Sequence, residues 1–421
     1  MPATSPMRAR HAVSFYFTLL GLLSGLWAAR IPAIKNTLDL TDGELGYALL
    51  ALAAGLVTGM RFAGRVTDRH GSARVTVPAA AGVSLALIPA GYAPTLPTLI
   101  AALYLYGIAN ACLDVAMNTH GVEVERAHHR PLMSSFHAMY SIGGLAGGAL
   151  GGLTAWLGLT PGTAFAATCL PLAALAFPAG RHLLPTRRHP HHPTHPHHPA
   201  HPHHHARPDH HDGHHDGHDR RPRGHRRWNG AILLIGTVAF AGLVGEGAAY
   251  DWTAVHLHDD LGASPALAAT GFALFSAAMT AGRLAGDTLA TRLGAVRLVR
   301  WSGLIAATGL GTGLLSGHIA VTMAGITLFG LGLSTIVPQV FSAAGNRDPA
   351  RAGTSIAQVA ALGYTGLVLG PVIIGATAEL TGLTAALAIP AALALYMAAA
   401  ATALRPPTPL PSTGPPPPAT P

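Results

Sequence analysis

His203-His204-His205-Ala206-Arg207-Pro208-Asp209-His210-His211-Asp212-Gly213-His214-His215-Asp216-Gly217 stands near the middle of residues 181–228, which run from Arg181 to Trp228 and are mostly His, Pro, Arg, Asp and Gly. No hydrophobic period runs through this stretch. A segment so poor in apolar side chains cannot offset its ordering entropy by burial, and it is expected to be a disordered linker. Its surroundings make it decisive. An apolar block precedes it, another of similar length follows, and the two carry the same internal punctuation.

Half of the 421 residues are hydrophobic and only 10% are charged, where about 25% is usual for soluble proteins. Much of that charge sits in the central stretch and in short loops, which leaves the apolar parts nearly free of it. The class is an all-α polytopic membrane protein. There are 26 Lys and Arg against 18 Asp and Glu. These cations line loops beside apolar spans, so the expected partner is anionic membrane lipid and not nucleic acid. Cys112 and Cys169 lie inside apolar runs and read as small buried hydrophobes. Arg8, Arg10 and His11 precede an apolar run that continues to Trp27 without a small-residue cleavage site, so this run is read as an uncleaved first span.

Twelve apolar spans can be delimited: 12–34, 44–63, 75–93, 97–119, 133–155 and 161–180, then 229–255, 266–285, 295–316, 318–341, 354–377 and 382–404. Each is close to the ~20 residues that cross a bilayer as a helix. The expected organisation is an N-terminus at 1–11, a six-helix bundle at 12–180, the linker at 181–228, a second six-helix bundle at 229–404 and a Pro-rich disordered tail at 405–421. With the N-terminus in the cytoplasm, 24 of the 26 Lys and Arg fall on the cytoplasmic side, leaving only Arg30 and Lys35 outside. This bias predicts a multi-pass protein of the inner (plasma) membrane with both termini cytoplasmic. The halves read as internal repeats. Trp27 and Trp252 are 225 positions apart, as are Gly46 and Gly271, and an offset of 223 relates Gly107 to Gly330, Gly143 to Gly366 and Gly147 to Gly370. Two six-helix halves in one orientation, joined by a long linker, form the pattern of a carrier whose halves rock against each other.

The loop after span 2 reads Gly64-Arg65-Val66-Thr67-Asp68-Arg69-His70-Gly71-Ser72-Ala73-Arg74. Its glycines permit a tight turn between helices, and Asp68 can meet a helix N-terminus or a neighbouring Arg. A weaker echo, Gly282-Arg283-Leu284-Ala285-Gly286-Asp287 with Arg292 and Gly294, follows span 8. The first copy resembles the G-x-x-x-D-R-x-G loop of the major facilitator superfamily (MFS), and the resemblance extends over both halves. It implies the twelve-helix MFS fold with two pseudo-symmetric halves, and it makes Gly64, Asp68, Arg69, Gly71 and Arg74 a conformational-switch loop. Three further stretches are similar to the bacterial rhizopine-related membrane proteins of that superfamily: Trp27-Ala28-Ala29-Arg30-Ile31-Pro32, Leu113-Asp114-Val115-Ala116-Met117-Asn118 and Phe136-His137-Ala138-Met139-Tyr140-Ser141. Span 4 lacks the Arg of proton-antiporting exporters and span 5 lacks their Gly-Pro, which appears in span 11 as Gly370-Pro371. Both departures weigh against a drug or metabolite exporter.

Ionisable residues inside spans cost several kcal/mol unless paired or hydrated, so each marks a candidate site. Asp114 is placed about four-fifths of the way along span 4, toward the cytoplasm. Asn118 lies one turn on, and His137 lies at similar depth in span 5. An Asp114–His137 pair handling a proton is the expected coupling site, because imidazole titrates near neutrality and a desolvated carboxylic acid can do so too. In the outer half, Glu246 and Asp251 of span 7 lie at the depth of Arg30 of span 1, and the resemblance implies that spans 1 and 7 face each other, which makes these three residues a candidate outer gate. The His-rich stretch suggests a divalent metal exporter as a second reading, but no span carries paired His and Asp at ligand spacing. No phosphate loop, nucleophile triad or catalytic metal spacing appears, so neither an enzyme nor a bound cofactor is expected. The reading is a monomeric secondary transporter of a small solute, working by alternating access and driven by protons.

Overall fold

The computed structural model describes residues 5–185 and 230–406. The expected linker therefore lies outside the described residues apart from 181–185, as does the tail beyond 406. All twelve apolar spans become helix, and several helices outrun the apolar run that announced them. In the first half these are α1 (Pro6–Thr37), α2 (Asp42–His70), α3 (Ser72–Gly91), α4 (Leu96–His128), α5 (Met133–Trp156) and α6 (Pro161–Gly180). Then come α7 (Gly230–Val255), α8 (Pro265–Leu293), α9 (Ala295–Ser316), α10 (Ile319–Leu333), α11 (Ile336–Arg347), α12 (Ala352–Thr381), α13 (Leu383–Ala386) and α14 (Ala388–Ala400). Ten helical runs among the described residues are long and apolar enough to cross a membrane, the exceptions being α5 and α8.

Local chemistry sets the ends. The Ser5, Thr160 and Ser264 hydroxyls accept the N–H three residues on, each ahead of a Pro in the first turn. Thr41 and Glu44 form a reciprocal capping box on α2. Gly71 and Gly294 end α2 and α8 at φ +90 and +75, a backbone region that suits only glycine. Spans 10 and 12 are each broken four residues before a proline. Pro338 sits four after Ser334, where α10 stops, and Pro390 sits four after Ala386, where α13 stops. A proline ring clashes with the carbonyl four residues back and leaves it without a donor, which accounts for both breaks. The C-terminal end of α7 runs into a π-helical turn, His256–Asp260, closed by a 2.8 Å His256–Asp260 hydrogen bond.

The two halves repeat one packing scheme. α1 packs on α5 as α7 packs on α12, α2 on α4 as α8 on α10, and α3 on α4 and α6 as α9 on α10 and α14. The halves meet through α2 against α12 and α5 against α8, with α11 leaning on α4 and α5. The glycine rows of spans 5 and 11 are packing seams. A methyl group on Gly143 or Gly147 would strike the α1 backbone at Thr18 or Leu22, one on Gly366 would strike α7 at Phe240, and one on Gly370 would crowd Val244 at 3.3 Å.

Candidate functional site

At mid-depth between the halves lies a chain of buried polar side chains. Asp114 and Asn118 are one turn apart on α4 and are 3% and 0% exposed. The Asn118 amide nitrogen donates to Asp114 Oδ1 at 3.0 Å, and its Oδ1 faces His137 Nε2 on α5 at 3.2 Å. The Tyr364 hydroxyl of α12 donates to Asp114 Oδ2 at 3.4 Å, which brings the second half into contact with this acid. His137 is held between the Phe17 and Phe341 rings, at centroid distances of 5.2 and 5.8 Å. From the other side, Arg283 of α8 donates to Ser141 Oγ at 2.6 Å and lies 3.6 Å from Glu246 of α7. Tyr140 of α5, bonded to Ser24 at 3.2 Å, lies within electrostatic reach of Asp114, Glu246 and Arg283. Two acids, one guanidinium, an imidazole and a set of hydroxyls thus converge from both halves on one region of low dielectric.

A second set of contacts joins the halves at the arginine-rich end. Asp68 of α2 accepts the N–H groups of Gly353 and Thr354 at 2.8 and 2.9 Å and the Thr354 hydroxyl at 2.5 Å. These amides belong to the first turn of α12 and have no partner within that helix. Asp287 of α8 does the same for α5, accepting from the Ser134 N–H at 2.9 Å and the Ser135 N–H at 3.2 Å. The two amides just before these, on Leu132 at the N-cap of α5 and Met133 at its first residue, donate to Glu125 at 2.8 and 3.2 Å. Glu125 also accepts the Ser342 hydroxyl of α11, and its neighbour Arg126 donates to Asn346 Oδ1 at 2.6 Å and to the Gly345 carbonyl.

The sequence-derived site residues fall into place unevenly. Asp114 and His137 do not touch; Asn118 stands between them. Asp114 is not four-fifths of the way along its helix. It is residue 19 of the 33 in α4, because the helix continues nine residues past the apolar run on polar side chains buried between the halves. Arg30 is not brought to Glu246 or Asp251. It is buried inside the first half and donates to the Leu159 carbonyl of the α5–α6 turn, while Glu246 faces Arg283 and Asp251 is exposed. In the loop, Gly64 lies against Gly353 and Thr354, Gly71 ends α2, and Arg69 and Arg74 are exposed. Arg283, Tyr364, Ser141 and Asp287 were not among the expected site residues. Arg283 had a signal: it falls inside span 8 as delimited, although the charge bias groups it with the loop arginines. Tyr140 and Ser141 lie in the Phe136–Ser141 stretch. Among the described residues no cluster of three His, Cys, Asp or Glu side chains is placed to hold a metal ion.

A family model described as Major Facilitator Superfamily matches residues 13–364. The chain belongs to the major facilitator superfamily. That is a transporter family and not an enzyme class, and it agrees with the resemblance carried by the signature loop. An uncharacterized MFS-type transporter of Yersinia pestis is 34% identical to this MFS chain, over 92% of the chain and 94% of the relative. Membrane protein MosC of Rhizobium meliloti is 30% identical, over 92% of this chain and 88% of its own length. Among solved structures, the MFS transporter FucP in the outward conformation superposes with a TM-score of 0.72 at 14% identity, covering 94% of this chain and 98% of FucP. This superposition shares the fold and says nothing of the solute.

Proposed function

We propose that this MFS chain is a proton-coupled secondary transporter that moves a small polar solute across the inner membrane by alternating access. The observation that carries the reading is the run Asp114–Asn118–His137, buried at mid-depth and touched by Tyr364 from the opposite half. An ionisable group in such a place is costly and persists where it does work. Asp114 is the main proton carrier, His137 its modulator, and Asn118 the bridge that keeps them in one hydrogen-bonded chain. Because Tyr364 reaches Asp114 across the interface, rocking of the halves alters the acid's partners and its access to water together, and this couples proton release to the side that is open. A fucose:proton symporter of E. coli, FucP, has the same fold.

The arginine-rich end is the cytoplasmic one by the positive-inside bias. On this reading the carboxylates of Asp68 and Asp287 hold that end shut, and Gly64, Arg69, Gly71 and Arg74 belong to the loop that switches. Both termini are then cytoplasmic, membrane lipid surrounds a monomer, and the loop arginines face anionic headgroups. Solute-driven proton entry, read with a pH dye inside proteoliposomes, tests the proposal on a panel of sugars, polyols, amino acids and organic acids. Asp114→Asn is expected to abolish accumulation driven by a pH gradient and to retain solute exchange, which needs no net proton movement. Full gradient-driven accumulation by Asp114→Asn would exclude this site.

A further inference from the structure

Arg283 is 6% exposed and sits at the meeting of the halves. A guanidinium carries five N–H donors and cannot lose its charge, so its burial demands both a counter-charge and acceptors. It finds little of either. One hydrogen bond goes to Ser141 Oγ, the Glu246 carboxylate stands off at 3.6 Å, beyond hydrogen-bond distance, and Nε has no hydrogen-bond partner. Asp114 at the other end of the cluster is the reverse case, with one oxygen taken by Asn118 and the other by Tyr364. Spare hydrogen-bonding capacity at the site is therefore concentrated on a fork-shaped cationic donor, the shape and charge that match a carboxylate. Ser141 bonds it directly, Tyr140 with its partner Ser24 lies within electrostatic reach, and Tyr364 bonds Asp114 at the other end of the cluster, hydroxyls suited to a hydroxylated body.

We propose that the solute is a small hydroxylated organic acid whose carboxylate docks on Arg283 and displaces Glu246, which stands in for it when the site is empty. This rests on the transporter reading above.

The probes are three acids with their alcohol counterparts: lactate with propylene glycol, glycerate with glycerol, and gluconate with glucitol. Thermal shift and titration use the purified full-length protein. Ligand that binds only the folded state raises its melting temperature by mass action. At least one acid is expected to stabilise the wild type while its alcohol does not. Arg283→Gln and Arg283→Lys are expected to weaken that binding by at least about tenfold, since even Lys keeps the charge but lacks the fork. Glu246→Gln is expected to bind the acid more tightly than the wild type, because the competitor is gone. That result also answers a purely structural Arg283–Glu246 pair, which would give no gain. The proposal is overturned if no acid binds, if an alcohol binds as well as its acid, or if the Arg283 variants fold and keep full affinity. A neutral solute that drives proton entry in proteoliposomes would sink this inference and leave the transporter reading standing. An acid that binds through Arg283 yet moves no proton in any vesicle experiment would do the opposite.

Discussion

Asp68 and Asp287 perform the same task in opposite halves, each capping the first turn of a helix from the other half with its carboxylate. They do so from different rungs of the repeat. Gly71 and Gly294, Arg69 and Arg292, and Arg74 and Arg297 are all related by 223 positions, yet the same offset pairs Asp68 with Thr291 and Gly64 with Asp287. The second carboxylate therefore sits one helical turn further in. The surroundings differ as well. The second and third amides of α12 rest on Asp68 alone, and Thr354 adds its hydroxyl. The start of α5 is shared between two acids, Glu125 from its own half and Asp287 from the other. The chemistry of a negative group at a helix N-terminus has been kept while the sequence position has drifted. The second latch has a reserve that the first lacks.

Three tests, built from four substitutions, would sharpen or break that comparison. Asp68→Asn with Asp287→Asn is the largest. A carboxylate at a helix N-terminus contributes on the order of 1–2 kcal/mol, so losing both shifts the balance between open and shut by roughly 30- to 1000-fold. Solute flux in proteoliposomes is expected to fall nearly to background while membrane insertion is normal. Next come the single variants. Asp68→Asn is expected to slow flux by about tenfold or more, and Asp287→Asn by only a few-fold, because Glu125 still holds one end of α5. Equal losses would remove the claimed reserve. The smallest contrast is between glycines. A Cβ on Gly64 would meet the Gly353 carbonyl at 2.7 Å and Thr354 Cα at 2.8 Å, both backbone, whereas one on Gly286 would meet the Ser134 side chain at 2.5–2.6 Å. Gly64→Ala is expected to lower flux and raise alkylation of a cysteine placed at the arginine-rich end; Gly286→Ala is expected to do so less, because Ser134 Oγ can rotate away and leaves one close fixed contact, Ser134 Cβ, where Gly64 meets two backbone atoms.

The fold was legible because twelve apolar runs separated by arginine-rich turns leave few alternatives, and the steady Gly and Trp offsets exposed the repeat. The C-terminal end of α4 was not. Hydropathy falls after Asn118, but the helix carries on to His128 because Glu125 and Arg126 are paired across the interface and not in lipid. The site was half legible. Asp114, Asn118 and His137 announced themselves as ionisable or polar groups inside spans. Arg283 looked like one more loop cation, since nothing in a linear sequence reveals that Glu246, 37 positions earlier, lies 3.6 Å from it. Arg30 misled for the same reason. Its burial and its bond to the Leu159 carbonyl come from a turn 129 positions away.

The claim on which the rest depends is that Asp68 and Asp287 hold the arginine-rich end shut. Distances between spin labels test it without knowledge of the solute. With Cys112 and Cys169 replaced, one label pair at His70 and Arg351 spans the first latch, and another at Arg130 and Arg292 spans the second; all four positions are exposed. In the wild type each pair is expected to give one short, narrow distance distribution. In the Asp68→Asn/Asp287→Asn variant both distributions are expected to move to longer distances, as the halves part at that end. Distributions that stay short and narrow in the double variant would contradict the account.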